Sequence, residues 1–227
     1  MAERIIKLTG KGRVSARPDT TVLTLSLTDL RKDYAEALRL SAELTQKLRE
    51  CVAAAGLDAQ KLKTNSFNVR PEYSTEYNVE RESLLKKTTR TEQVLTGYRF
   101  HHELKLEFPI DNALLGAVLG ELLRANIGAR FDFGFTVSDP EPLRIKLLEE
   151  AARVSQANAR ALAATSGAEL SEVINIDYSW DRLDVYTHPV DLMLSCECAA
   201  PSGSLDINID PDDIDLEETV TITWALK

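Results

Sequence analysis

This chain of 227 residues has no apolar run of membrane-spanning length. The longest, Ala113 to Leu123, falls well short of the ~20 residues a helix needs to cross a bilayer. Three cysteines are too few for a disulfide framework, and Cys196-Glu197-Cys198 lacks the two-residue spacer of redox and zinc pairs. Positive charge is in deficit, with a formal net charge of -9 and a pI near 5.0. The lysines and arginines are scattered in sequence, so nucleic acid is not an expected partner. No serine stands in a nucleophile elbow, and Cys51 falls on a helix stripe that faces a core, so no nucleophilic apparatus is visible and no cofactor is expected. Met1 to Lys7 has no signal-peptide apolar run. As written, the chain is expected to be soluble and cytoplasmic, or periplasmic if a native leader was removed.

What is present is a pattern that occurs twice. Leu23, Leu25 and Leu27 alternate with polar residues as in a half-buried strand, and Asp33 with Glu36 forms a capping-box pattern. Ala37, Leu40, Leu44, Leu48, Cys51 and Ala55 then make a helical stripe that ends at Gly56. A strand from Leu62 to Val69 and another from Tyr98 to Phe108 follow. The second copy repeats the order: Phe131 to Val137 as strand, Asp139-Pro140 as helix entry, then a stripe of Leu143, Leu147, Ala151, Val154, Ala161 and Thr165. It ends at Gly167 and returns as strands from Val173 to Trp180 and Val220 to Leu226. Between the copies, Asp111 caps a short helix with Leu115, Leu119 and Leu122 inward. Gly116 and Gly120 on that helix suit close packing in a soluble core.

These signals predict an α+β fold of two related β-α-β-β halves, about 20–108 and 130–226, within a single domain over 1–227. Mixed or mostly antiparallel sheets are covered by two long helices. Polar inserts at about 74–94 and 181–215 read as hairpin loops, partner-contacting arms or partly disordered segments, the second holding a short strand from Val190 to Cys198.

Candidate sites are few. Asp206, Asn208, Asp210 and Glu217 fall at loop positions one, three, five and twelve of an EF-hand calcium loop, with Asp212 beside them. Position six is Pro211, where that loop needs glycine, so an acidic turn leading into the last strand is the expected structure. Cys196 and Cys198 share a strand face and, with His188, offer three metal ligands, though buried small hydrophobes are the simpler expectation. His101 and His102 are adjacent on a strand and point to opposite faces, so they cannot share an ion; His102 is expected in a core or interface. Gly10-Lys11-Gly12 lacks the third glycine and following helix of a phosphate loop, which predicts a turn or bulge between two short strands.

The run from Ile6 to Val14 with Pro18-Asp19, then Val69-Arg70-Pro71-Glu72-Tyr73, Gly97-Tyr98, Phe131 to Asp139 and Ile209-Asp210-Pro211, in this order, resembles the SIMPL-domain family. That resemblance implies no catalytic residues. It implies relatives that are mostly periplasmic or outer-membrane proteins, some immunogenic, some linked to oxidative stress and one type forming a ring-like oligomer. The Pro-Gly usual before the last strand is Pro211-Asp212 here. The expected function is a non-enzymatic, self-associating structural or stress-related protein, a homo-oligomer. The alternative is a ligand- or metal-binding module, or an adaptor that binds another protein through the inserts.

Overall fold

A computed structural model describes residues 4–83, 86–178, 185–186 and 208–227, with the backbone alone for 76–83 and 86–92. The described residues contain three α-helices and seven strands, the strands forming two sheets of orders β1-β7-β6 and β3-β4-β2-β5. The strands are β1 (Ile5–Ala16), β2 (Thr20–Arg31), β3 (Lys63–Ser83), β4 (Lys86–Pro109), β5 (Arg130–Thr136), β6 (Leu170–Asp177) and β7 (Ile214–Leu226). The helices are α1 (Tyr34–Ala54), α2 (Asn112–Ala125) and α3 (Glu141–Thr165). The β1–β7, β3–β4 and β6–β7 pairs are antiparallel, and the α+β class read from periodicity holds. The chain divides into two compact units, described separately.

The first unit gathers β1, β6, β7 and α3. Gly10 and Gly12 lie in the middle of an unbroken β1, not in a turn between short strands. The reason is steric: a Cβ on Gly10 would strike the Ala151 carbonyl oxygen, and one on Gly12 the Leu147 carbonyl oxygen. Both glycines let α3 lie directly on the β1 backbone. The buried face of α3 is Leu147, Ala151, Ser155, Ala159 and Ala163, a strict four-residue spacing. Ala161 and Thr165, expected inward, are exposed. Ser155 replaces them because its hydroxyl donates to the Leu8 carbonyl at 2.9 Å, so a polar residue sits comfortably in the contact. Pro140 takes the cap position, while the Asp139 carboxylate still accepts from the Glu141 N–H at 3.2 Å. Trp224, Ile222 and Val220 of β7 pack beneath Ala151 and Ala159.

The second unit holds α1, β3, β4, α2 and most of β2 and β5. Leu23, Leu25 and Leu27 are buried as expected, and so are Phe100, Leu104, Leu106 and Phe108 of β4. Helix α1 starts after Asp33, but that side chain makes no cap hydrogen bond; the capping box is a position without its bond. Its buried face is Ala37, Ser41, Leu48 and Val52, with Leu40, Leu44 and Cys51 half-buried at the flanks. Gly56 and Gly167 follow their helices at φ +88° and +67°, the left-handed stop that the pattern predicts. Asp111 caps α2 through the N–H groups of Ala113 and Leu114, and Leu115, Leu119 and Leu122 are buried. Within the first insert, residues 74–83 and 86–94 pair as strand from Tyr73↔Leu95 to Arg81↔Lys87, a two-stranded ribbon.

Candidate functional site

Among the described residues, the densest polar arrangement surrounds His102, on the apolar face of β4 and 8% exposed. Alternation along β4 forces the imidazole inward between Phe100 and Leu104, beneath α1. Three hydroxyls meet it. Ser41 Oγ lies 3.0 Å and Thr45 Oγ1 3.2 Å from Nδ1, and Thr64 Oγ1 lies 2.9 Å from Nε2. Thr45 donates its proton to the Ser41 carbonyl at 2.7 Å, so toward Nδ1 it accepts. This network assigns the hydrogen to Nδ1 and leaves Nε2 to accept from Thr64. Phe67 closes the edge with its ring 5.0 Å from the imidazole and nearly perpendicular to it.

Electrostatics keep this histidine neutral. Burial pushes its pKa below the usual 6.5, and the charges of Arg49 and His101 push the same way. A hydroxyl–imidazole pair at 2.9 Å resembles the start of a nucleophile–base relay. Such a base must take up a proton, and here the groups behind Nδ1 are hydroxyls, with no carboxylate to support an imidazolium. The arrangement is a neutral clamp between α1, β3 and β4.

Thr64 also borders an open hollow of about 540 Å³ where β3 begins, lined by Lys61, Lys63, Thr64, Asn65, Lys105 and Glu107. The lysines are separate in sequence, but the antiparallel register sets Lys63 directly opposite Lys105. Sequence reasoning missed this cluster because only the β3–β4 register, with its shift between Thr64 and Ser66, brings it together.

The remaining candidates disperse. Glu217 lies within β7 opposite Arg13, pairing with Arg13 at 2.7 Å and with Lys11; the Lys11 hydrogen bond is the leading cause that holds its carboxyl below the ordinary range, against the opposing effect of desolvation, with the Lys11 and Arg13 charges adding to it. Asp210 faces Arg17 at 3.9 Å, and the Asp212 carboxylate accepts from the Asp213 N–H. Asn208 lies outside any regular element, and Asp206 outside the described residues. Strand β7 therefore begins at Ile214, inside the acidic stretch, because Ile214, Leu216 and Val220 are buried in alternation. Cys196, Cys198, His188 and the Val190 to Cys198 strand also lie outside the described residues. Among those described, no three His, Cys, Asp or Glu side chains converge as a metal group. The Cys51 thiol is pushed up by burial, then by Glu121 and Glu50, which makes it a poor nucleophile.

In the first unit, Asp19 closes the chain end of β1 onto the segment before α3. Its carboxylate accepts from the Ser138 N–H at 2.8 Å, the Ser138 hydroxyl at 2.7 Å and the Thr20 hydroxyl at 2.7 Å. Burial raises its pKa, but these bonds outweigh it and hold the carboxyl below its usual 3.8.

Comparison with known proteins gives one consistent answer. The SIMPL model, described as a protein of unknown function (DUF541), matches residues 6–224. The 26 kDa periplasmic immunogenic protein of Brucella melitensis biotype 1 is 26% identical over 171 residues, which is 75% of this chain and 65% of the relative. The protein of the same description from Brucella abortus is 25% identical over the same span. The chain thus matches over less than two thirds of each relative's length. Among the described residues, no helix is long and apolar enough to cross a membrane.

Proposed function

The chain belongs to the SIMPL family, whose function is unknown, and from that premise we propose that it is a non-enzymatic, self-associating structural protein of the periplasm. The observation that carries self-association is β6. It ends its sheet, with β7 as its partner among the described strands. Val173, Ile174 and Ile176 on it are 51%, 46% and 60% exposed. Although Glu172 and Asp177 put charge on it, β6 has no lysine or proline, and it presents exposed hydrophobic side chains and an edge that no other described strand covers to another chain. The β3–β4 ribbon supports the same reading as a second reach toward a neighbour. The neutral clamp around His102 supports the non-enzymatic part. The periplasmic part is supported by the two relatives' descriptions.

Size-exclusion chromatography with light scattering tests the central point. An oligomer is expected, with Ile174→Lys plus Ile176→Lys driving it toward monomer while the far-UV spectrum is retained. A monomer at every concentration would end the proposal. The reading includes a stress-related role, drawn from the family resemblance, and loss of peroxide survival in a deletion strain is the matching test. Release by osmotic shock from the producing cells tests the location.

A further inference from the structure

The hollow at the start of β3 has a charge arrangement that packing does not explain. Lys63 and Lys105 stand directly opposite on antiparallel strands, where like charges repel and weaken the pairing. Lys61 ends the short 3-10 turn Ala59–Lys61 that leads into β3 and lines the same hollow. Lys105 pairs with Glu107 at 2.5 Å, whereas no described carboxylate pairs with Lys61 or Lys63. A second carboxylate, Glu103, two residues before Lys105 on β4, accepts from the Asn65 amide and keeps its charge but does not line the hollow. Three ammonium groups against one lining carboxylate make a local excess of positive charge in a chain of net charge -9.

Lysines that only discourage edge-to-edge pairing stand out into solvent. Lys61 and Lys63 are exposed as well, but together with Lys105 they line an open concavity of about 540 Å³, within the size range of small-molecule sites. Lysine also recognises anions as point charges, without the bidentate geometry that arginine imposes.

We propose that this hollow is a binding site for a small anion bearing two or more negative charges, held between Lys63 and Lys105 with Lys61 closing over it. Phosphate esters and polycarboxylates share that chemistry. All of its lining comes from one copy of the chain, from the base of the β3–β4 hairpin and the turn before it, so binding does not require a second subunit.

Isothermal titration of the purified chain with inorganic pyrophosphate and, separately, with citrate tests this. Saturable binding of one or both is expected, weakened by added salt and reduced about tenfold or more by Lys63→Gln plus Lys105→Gln. Pyrophosphate alone would mark a phosphate site, citrate alone a carboxylate site, and both a charge-selective one. Lys146→Gln, on α3, serves as the control and should bind as the parent does. No saturable binding of either probe overturns the proposal. So does binding that the double substitution leaves unchanged while its circular dichroism matches the parent. The oligomeric state, measured on the same samples, reports on self-association separately.

Discussion

Helix α3 rests on β1 through bare backbone, whereas α1 rests on β4 through side chains. Under α3 the contact is Gly10 and Gly12 against Ala151 and Ser155, and there is no room for one added carbon. Under α1 the contact is aromatic and aliphatic, with a histidine and three hydroxyls in its midst. The two long helices therefore meet their strands through unlike interfaces. A close backbone contact gains dispersion from many short approaches but cannot yield. A side-chain contact can repack, provided its buried polar atoms keep their partners.

The comparison breaks most sharply at Gly12. In Gly12→Val the new Cβ strikes the Leu147 carbonyl oxygen and lies 2.9 Å from the Ala151 nitrogen. The expected loss is roughly 3 kcal/mol, the top of the usual range for overpacking. Ser41→Val, at the centre of the α1 contact, removes one of the two hydroxyls at Nδ1 and is expected to cost about 1–2 kcal/mol. Urea denaturation followed by fluorescence measures both. Equal losses would mean that the two contacts are not different in kind.

The two contacts also differ in pH response. His102 has a folded pKa below 6.5, so its contribution is complete above that value. As pH falls through 6.5, the unfolded chain binds a proton that the fold resists, and stability declines until the folded pKa is passed. His102→Leu should lose that part of the slope, while His101→Gln, on the opposite face of β4, should keep it. Parallel stability curves for the parent and His102→Leu between pH 7 and 5 would show that the clamp is not titrating.

How much of this was legible follows from the same contrast. Where a strand buries alternate large residues, as at Leu23, Leu25 and Leu27, period two shows in the sequence and the structure agrees. Where burial is by small or polar residues, it does not show. Ser41 and Ser155 are core residues disguised by their hydroxyls: the α1 stripe omits Ser41 although its own residues are buried or half-buried, and the α3 stripe takes in exposed Ala161 and Thr165 in place of Ser155. Gly10 and Gly12 suggested a turn because nothing in one sequence reveals a helix above a strand. The first insert lacks apolar periodicity, so its pairing as a ribbon was not visible in the sequence. At Ile214 and Leu216 the alternation was present, but the density of aspartates hid it. Of the site, His102 was legible as a buried histidine. Its hydroxyl partners and the lysine hollow depend on register, which only pairing reveals.

Asp19 sharpens the contrast between a buried and an exposed polar tie, with the smallest expected effect. Like His102 it gathers three hydrogen bonds, but it does so at the surface, where water competes for every one. Asp19→Asn keeps an oxygen for the Ser138 N–H and gives up the charge that strengthens all three bonds. Because the folded carboxyl sits below 3.8, its contribution is present above that pH and disappears as pH falls through the lower folded value. The substitution should thus lower the melting temperature slightly at pH 7 and by less as the pH falls below 3.8. A loss at pH 7 as large as that of Ser41→Val would mean that exposure does not discount this tie. The difference between the two interfaces would then lie in geometry alone, not in shelter from water.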